Sequence, residues 1–428
     1  MMDAARPPSV GASATVRTAV GADASALMST GRTHDPIPIP HASTMNPHRR
    51  EPAWGRSTWE TDRREATSPR RHAGYHAGET NRIRRRGLLM QKVKGAADWL
   101  TKWFTLIVIV WAAINYFVPS LSLWGKSSTG YMLSIVLFGM GLTLSLDDFA
   151  RIFKQPLMVI VGTIAHYVIM PLIAVLLCWI FQLDGPLAVG VILVGCCPSG
   201  TSSNVMSFLS RGDVALDVSI GILSTLLAPV MIPLLMQLLA AQYVDIPWQS
   251  LFITALKVVL VPVVLGVACH MIFKEKIAKV TVVLPIVSQV AILLIIGVVV
   301  AVNNAKLFSP ETLLAIPVVI LHNLSGYALG YGFSKLMYRL YPKGFRYSQQ
   351  KAITFEVGMQ DSGLGATLAL TSFAATPIAA IPSTFFSVWH NISGSVLSAW
   401  WRRHDDKYGI PADAENGRAV KAAAPTTV

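Results

Sequence analysis

At 428 residues, 53% apolar and 14% charged, with a mean hydropathy of +0.50, the chain carries too little charge for an ordinary soluble domain, where roughly a quarter of residues are charged. Its net charge of +13 is not a nucleic-acid signal, because the basic residues sit in an arginine-rich start and in short loops between membrane-length apolar runs. The four cysteines (Cys178, Cys196, Cys197, Cys269) all lie in apolar stretches and read as buried helix residues; the adjacent pair Cys196-Cys197 has no C-x-x-C spacing and no histidine near it in sequence, which weakens any metal or redox reading.

Residues 1–89 are rich in Ala, Arg, Pro, Gly, Ser, Thr and His and hold 14 arginines against 8 acidic residues. With almost no apolar periodicity, such a segment cannot offset the entropy of ordering, and it reads as a disordered extension. Met90, followed by Gln91-Lys92-Val93-Lys94, would make a natural start, so translation is expected to begin either there or at Met1. No secretory h-region follows Met1. The transmembrane domain is expected over 90–402, with a flexible cytoplasmic tail over 403–428.

From Trp103 onward the sequence predicts ten spans, at about 103–119, 128–146, 157–181, 186–208, 214–239, 249–270, 280–302, 311–336, 350–373 and 376–401, each close to the 20 or so apolar residues a bilayer requires. Basic residues alternate with this count. Arg151 and Lys154, Arg211, Lys274, Lys276 and Lys279, then Lys335, Arg339, Lys343, Arg346 and Lys351, and finally Arg402 and Arg403 fall on one side, leaving little beyond Lys126 and Lys306 on the other. The positive-inside rule places the first side, and both termini, in the cytoplasm.

Two spans are interrupted by polar, glycine-containing patches, Val194-Gly195-Cys196-Cys197-Pro198-Ser199-Gly200-Thr201-Ser202-Ser203-Asn204 and Phe355-Glu356-Val357-Gly358-Met359-Gln360-Asp361-Ser362-Gly363. Broken backbone at membrane depth survives only where protein or a polar cavity receives the freed N–H and C=O groups. Each break falls in the fourth of five spans. The expected fold is therefore an all-α membrane protein of ten transmembrane helices in two inverted five-helix repeats, about 103–239 and 249–401, with discontinuous helices 4 and 9 crossing.

Glu356 at membrane depth is costly unless something pairs with it. It is either one side of a structural clamp or a cation ligand. Released carbonyls together with Glu356, Gln360, Ser203 and Asn204 supply the oxygen donors a hard cation needs. His166, His270, His322 and His390 are too widely spaced to form a transition-metal site. Helix starts near Ser202-Ser203-Asn204 and Asp361-Ser362-Gly363 favour an anion. A cation beside a carboxylate and an anion beside a helix end make a symport. No Gly-x-Ser-x-Gly elbow, His-Glu-x-x-His motif or phosphate-binding loop is present, so an enzyme is not expected. A channel fits less well than an occluding carrier, and a non-transporting anion sensor is the remaining alternative.

These residues resemble the bile acid:sodium symporter family over roughly 100–400. Phe138-Gly139-Met140-Gly141-Leu142-Thr143-Leu144, Cys197-Pro198-Ser199-Gly200-Thr201-Ser202-Ser203-Asn204-Val205, Arg211-Gly212-Asp213-Val214-Ala215-Leu216, Glu356-Val357-Gly358-Met359-Gln360 and Val388-Trp389-His390-Asn391 carry the match. The resemblance implies a panel of spans 1, 2, 6 and 7 moving against a core of spans 3–5 and 8–10. It also implies two sodium ions as coupling ions and no other cofactor. One ion would use Ser203, Asn204 and Glu356, the other Glu356, Val357, Met359 and Gln360. The organic anion would face Thr201, Ser202, Asn204 and Asn391, with His390 close by and Asp361 beside the site.

Four positions depart from the family pattern. His166 stands for Gln, Asp217 for Ser, Gly221 for Thr and Asp361 for Asn. Asp217 would add charge to the first cation site. His166 would join the second as a neutral ligand, or replace its cation with a proton in a proton-coupled or mixed-cation carrier. The family's substrates are organic anions. A bacterial-looking chain of this kind is expected to carry a small metabolic acid such as pantoate, pantothenate or a 2-oxo acid ahead of a bile acid, and a monocarboxylate among them, because Asp361 beside the site would repel a second carboxylate unless protonated or cation-paired. The expected setting is the bacterial inner membrane, as a multi-pass monomer whose partners are sodium, the anion and lipid, with no nucleic acid.

Overall fold

Helices form the regular elements among the described residues. The computed structural model describes residues 103–273 and 283–410, with positions 95, 99, 100, 277 and 281. The expected extension over 1–89, the start at Met90 and the segment 411–428 lie outside the described residues. All described residues belong to one unit, Arg70–Val428.

The order is α1 (Trp103–Phe117), α2 (Thr129–Thr143), α3 (Leu146–Lys154), α4 (Pro156–Ile180), α5 (Gly185–Cys196), α6 (Ser202–Leu209), α7 (Val214–Leu239), α8 (Trp248–Ile272), α9 (Leu284–Asn303), α10 (Pro310–Leu340), α11 (Tyr347–Gly358), α12 (Ser362–Ser372) and α13 (Ile381–Tyr408). Five of these, α4, α7, α8, α9 and α10, are long and apolar enough to cross a membrane unbroken. Large apolar side chains stand exposed on them and their neighbours, Trp179 at 74%, Phe153 at 82% and Phe117 at 78% among them. Soluble monomers rarely leave so much contiguous apolar surface in water, whereas lipid covers it without cost.

The remaining expected spans differ from simple rods. The segments expected at 103–119 and 128–146 come as a pair of helical stretches bent by 103° around Pro119, which together count as at most one further span by length and composition. A proline cannot donate the next helix bond and stops α1 there. Spans four and nine are each two half-helices, α5/α6 and α11/α12. The tenth is helical through Tyr408, beyond the boundary at 402 where a flexible tail was expected.

Charge pairing explains that extension. Lys351 of α11, expected in a solvent-facing loop, is fully buried, and its ammonium meets Asp405 Oδ2 at 2.6 Å and the Ser210 carbonyl at 3.0 Å. Tyr347 donates to Asp405 Oδ1 at 3.1 Å, and Arg211 pairs with Asp406 at 2.7 Å. The end of α13 is thus tied to α11 and to the turn after α6. Removing one partner of a buried ion pair costs about 3–5 kcal/mol, so Asp405→Ala should sharply lower the thermal unfolding midpoint in detergent. Asp406→Ala, at an exposed pair, should cost about 1 kcal/mol or less. Equal shifts for the two variants would refute the buried pair as the stabilising contact.

Candidate functional site

Local chemistry makes the first break. Pro198 disfavours helical backbone at the residue before it, and Cys197 is extended (φ −70, ψ 154) just after the last residue of α5. No proline marks the second break. There Met359 is extended (φ −107, ψ 127), and Asn323 of α10 donates to the Gly358 carbonyl at 2.8 Å. Ser393 of α13 in turn donates to Asn323 Oδ1 at 2.6 Å. Gly358 packs so closely on the Tyr327 ring that a Cβ would collide with it.

The two breaks touch. Ser199 and Gln360 form an antiparallel bridge, Asp361 N–H donates to the Pro198 carbonyl at 2.7 Å, and Gly200 N–H reaches the Met359 carbonyl at 3.4 Å. A Cβ on Gly200 would lie 2.9 Å from the Gln360 carbonyl, so glycine permits the approach. Four helix ends, two terminating and two starting, therefore meet around one short backbone contact.

His166 of α4 stands beneath this crossing. Its Nδ1 lies 2.8 Å from the Glu356 carbonyl and its Nε2 2.8 Å from the Cys197 carbonyl. Carbonyls only accept, so a neutral ring donates to one of the two and a doubly protonated ring to both; in either form the ring lies between the two breaks, against one carbonyl from each.

Oxygen atoms gather beside it. Glu356 is fully buried, and its Oε2 accepts the Ser203 hydroxyl at 3.0 Å. Its Oε1 has no hydrogen-bond partner, and neither has either oxygen of the fully buried Asp217. Asp217, on α7, is surrounded by Glu356 and the hydroxyls of Ser203 and Ser207. Gly221, one turn further along α7, leaves room for the carboxylate, since a Cβ there would sit 2.9 Å from Glu356 Oε1. Gln360 is fully buried, donates its amide to the Val357 carbonyl at 3.2 Å and leaves Oε1 without a partner. Two buried carboxylates with three orphaned oxygens cannot be stable as bare anions. The donor set fits a hard cation. No cluster of three or more His, Cys, Asp or Glu suited to a transition metal occurs among the described residues.

The expected anion side is less convergent. Thr201 is exposed, while Ser202 and Asn204 are partly buried at the start of α6, and Asn204 Oδ1 has no partner. Asn391 donates to Ser387 in its own helix at 2.8 Å. His390 is buried, with Nδ1 unpartnered and its ring edge-on to Phe386. No hydrogen bond joins Asn391 or His390 to residues 201–204 among the described residues. The bracing pair Asn323 and Ser393 escaped the sequence reading. The available signal was an amide beside His322 in an otherwise apolar span, and its partner 70 positions away could not be read from spacing.

Two half-helix pairs that meet back to back, with carboxylates and released backbone groups at the junction, define a multi-pass membrane transport protein. The comparisons agree. The model of the sodium bile acid symporter family matches residues 131–310. The chain is similar to the uncharacterized sodium-dependent transporter YocS of Bacillus subtilis (strain 168), 46% identical over 327 residues, covering 76% of this chain and 99% of the relative. It is similar to the probable sodium/metabolite cotransporter BASS2, chloroplastic, of Oryza sativa subsp. japonica, 35% identical over 74% of this chain and 73% of that one. It is also similar to the probable BASS1 cotransporter of Arabidopsis thaliana, 36% identical over 64% and 67%. The chain belongs to the sodium bile acid symporter family.

Proposed function

We propose that the chain is a secondary symporter that couples sodium entry to uptake of a small organic anion across the bacterial inner membrane. In this reading it has ten spans in two inverted repeats, with both termini cytoplasmic. The observation that carries it is the pair Asp217 and Glu356, buried against each other with unpartnered oxygens beside the crossing of two broken helices. One sodium ion offsets one of the two charges, and a second sodium ion, or a proton, offsets the other. Ser203 and Asn204 both serve the ion, and Asn204 also faces the anion, so they link the ion to the start of α6, where Thr201 and Ser202 receive the carboxylate of the anion. In this reading Asn391 and His390 complete the anion side.

His166 lies against the carbonyls of Cys197 and Glu356, so its ring orients the second group of donors, the carbonyls of Val357 and Met359 and the Gln360 side chain. The relatives' names state sodium dependence, and the hard-oxygen donor set agrees with it.

The test is a thermal-shift screen of the purified protein against pantoate, pantothenate, pyruvate, other 2-oxo acids and bile acids, with and without sodium. A ligand that binds the folded state raises stability. Reciprocal coupling requires that sodium strengthen the rise. Hits are then followed as uptake into proteoliposomes under separate sodium and pH gradients. The expected result is sodium-dependent stabilisation by a small monocarboxylate and sodium-driven accumulation. Binding without flux under any gradient would make the protein a sensor. Uptake driven by the pH gradient alone, and lost in His166→Gln, would assign the coupling role to a proton on that ring.

A further inference from the structure

Away from the crossing, at the end of α4 furthest from Arg151 and Lys154, the structure holds a cavity of about 490 Å³. It begins about 18 Å along α4 from His166. The buried Cys178 and Leu183 line it together with Trp179, Gln182, Asp184 and Tyr243. Local backbone shapes one wall. The Leu183 N–H bonds the Cys178 carbonyl at 2.8 Å and the Gln182 N–H the Trp179 carbonyl at 3.3 Å. Gln182 takes the left-handed conformation in this turn (φ 51), where glycine is the usual residue. An amide side chain thus borders the cavity at a place where backbone alone favours none. Tyr243 comes from the turn after α7, the helix packed against α4.

The lining is acidic and aromatic. Asp184 is exposed, and although it precedes α5 its carboxylate makes no capping bond. Among the described residues no lysine or arginine lines the cavity. A carboxylate beside an electron-rich indole suits an ammonium group, through charge pairing and cation–π attraction. Burial first, and then the neighbouring Cys178 and Asp184, push the Tyr243 phenol above its usual range, so it stays a hydrogen donor. The Gln182 amide is a second donor, and two donors beside an ammonium site suit the oxygens of a phosphate.

The setting is lipid. Trp179 is 74% exposed at the end of a spanning helix, where aromatic residues mark the boundary between hydrocarbon and headgroups. From the cavity inward, α4 carries Leu176, Leu172 and Val168 exposed at helical spacing, and α7 carries Leu238, Leu234 and Val230. Acyl chains tied to a headgroup in the cavity would lie along these stripes. We propose that the cavity binds a membrane phospholipid whose headgroup carries an ammonium: Asp184 and Trp179 take the ammonium, Gln182 and Tyr243 the phosphate, and α4 and α7 the chains. The site goes beyond the symport reading and does not depend on it.

The experiment titrates delipidated full-length protein in detergent with phosphatidylethanolamine, with phosphatidylglycerol of the same acyl chains, and with soluble phosphoethanolamine. Native mass spectrometry reads the affinity of the first molecule bound. An exposed charge pair and one cation–π contact together amount to about tenfold, so phosphatidylethanolamine should bind about tenfold more tightly than phosphatidylglycerol. Asp184→Lys should reverse that order. Trp179→Leu should weaken phosphatidylethanolamine about threefold and leave phosphatidylglycerol unchanged. Both side chains are exposed, so both variants should keep the wild-type unfolding curve.

Equal affinity for the two lipids in the wild type, or an undiminished preference for phosphatidylethanolamine in Asp184→Lys, overturns the proposal. Phosphoethanolamine bound as tightly as the lipid would assign the cavity to a soluble amine and overturn it too. Sodium coupling rests on residues at the crossing and stands or falls by its own tests.

Discussion

Glu356→Gln is expected to abolish sodium-driven uptake while the protein still inserts and folds. The carboxylate is fully buried, accepts one hydroxyl from Ser203 and directs its other oxygen at no protein donor. A cation about 4 Å away in a partly polar interior gains about 4 kcal/mol from one unit charge, and each 1.4 kcal/mol is about tenfold in affinity. Replacing the acid by its amide should therefore weaken sodium binding by about 100-fold or more. The fold should survive, because Gln keeps the size of the side chain and can still bond Ser203. Its backbone carbonyl, 2.8 Å from His166 Nδ1, is unchanged. Counterflow and sodium-gradient uptake in proteoliposomes, beside a thermal unfolding curve, check both halves. Normal sodium dependence in this variant would remove Glu356 from the coupling site.

Asp217→Asn should act with opposite signs on two measurements. Without sodium, Asp217 and Glu356 are two buried acids that cannot both carry a charge, and neither Asp217 oxygen makes a direct hydrogen bond. Replacing one acid by its amide removes that constraint, so the sodium-free variant should unfold at a higher temperature than sodium-free wild type. With sodium, the wild type gains the attraction of two carboxylates and the variant of one. The stabilisation on adding sodium should shrink, and half-saturation of uptake should move to sodium concentrations about tenfold higher or more. Titrating sodium against thermal stability for both proteins reads the two effects together. A variant that is less stable without sodium, yet keeps the full sodium-induced rise, would make Asp217 a structural residue and leave the ion to Glu356 alone.

Much of the candidate site was legible because membrane depth makes polar residues conspicuous. The polar, glycine-containing patches announced both breaks, and Glu356 stood out in an apolar span. The departures at His166, Asp217, Gly221 and Asp361 were visible as residue types. Their geometry was not. The His166 ring was expected as a ligand or a proton carrier, and it is found against one carbonyl from each broken span. Gly221 read as a missing ligand, and it is the space into which the Glu356 carboxylate fits. Lys351 was counted as a loop charge because the positive-inside pattern records which side a residue lies on and not how deep. Asp405, which pairs with it 54 positions away, belonged to a segment expected to be a loose tail.

Local physics thus sufficed for what depends on neighbours in the chain: the apolar runs that demand lipid, the proline that ends α5, the buried acid and the kinship of the motifs. Tertiary structure decided what depends on residues distant in sequence. The second break has no proline and exists because Asn323, Ser393 and Tyr327 take up its backbone and fill the space beside Gly358. The helix that continues to Tyr408 follows from a buried ion pair, whose energy arises only once distant segments meet.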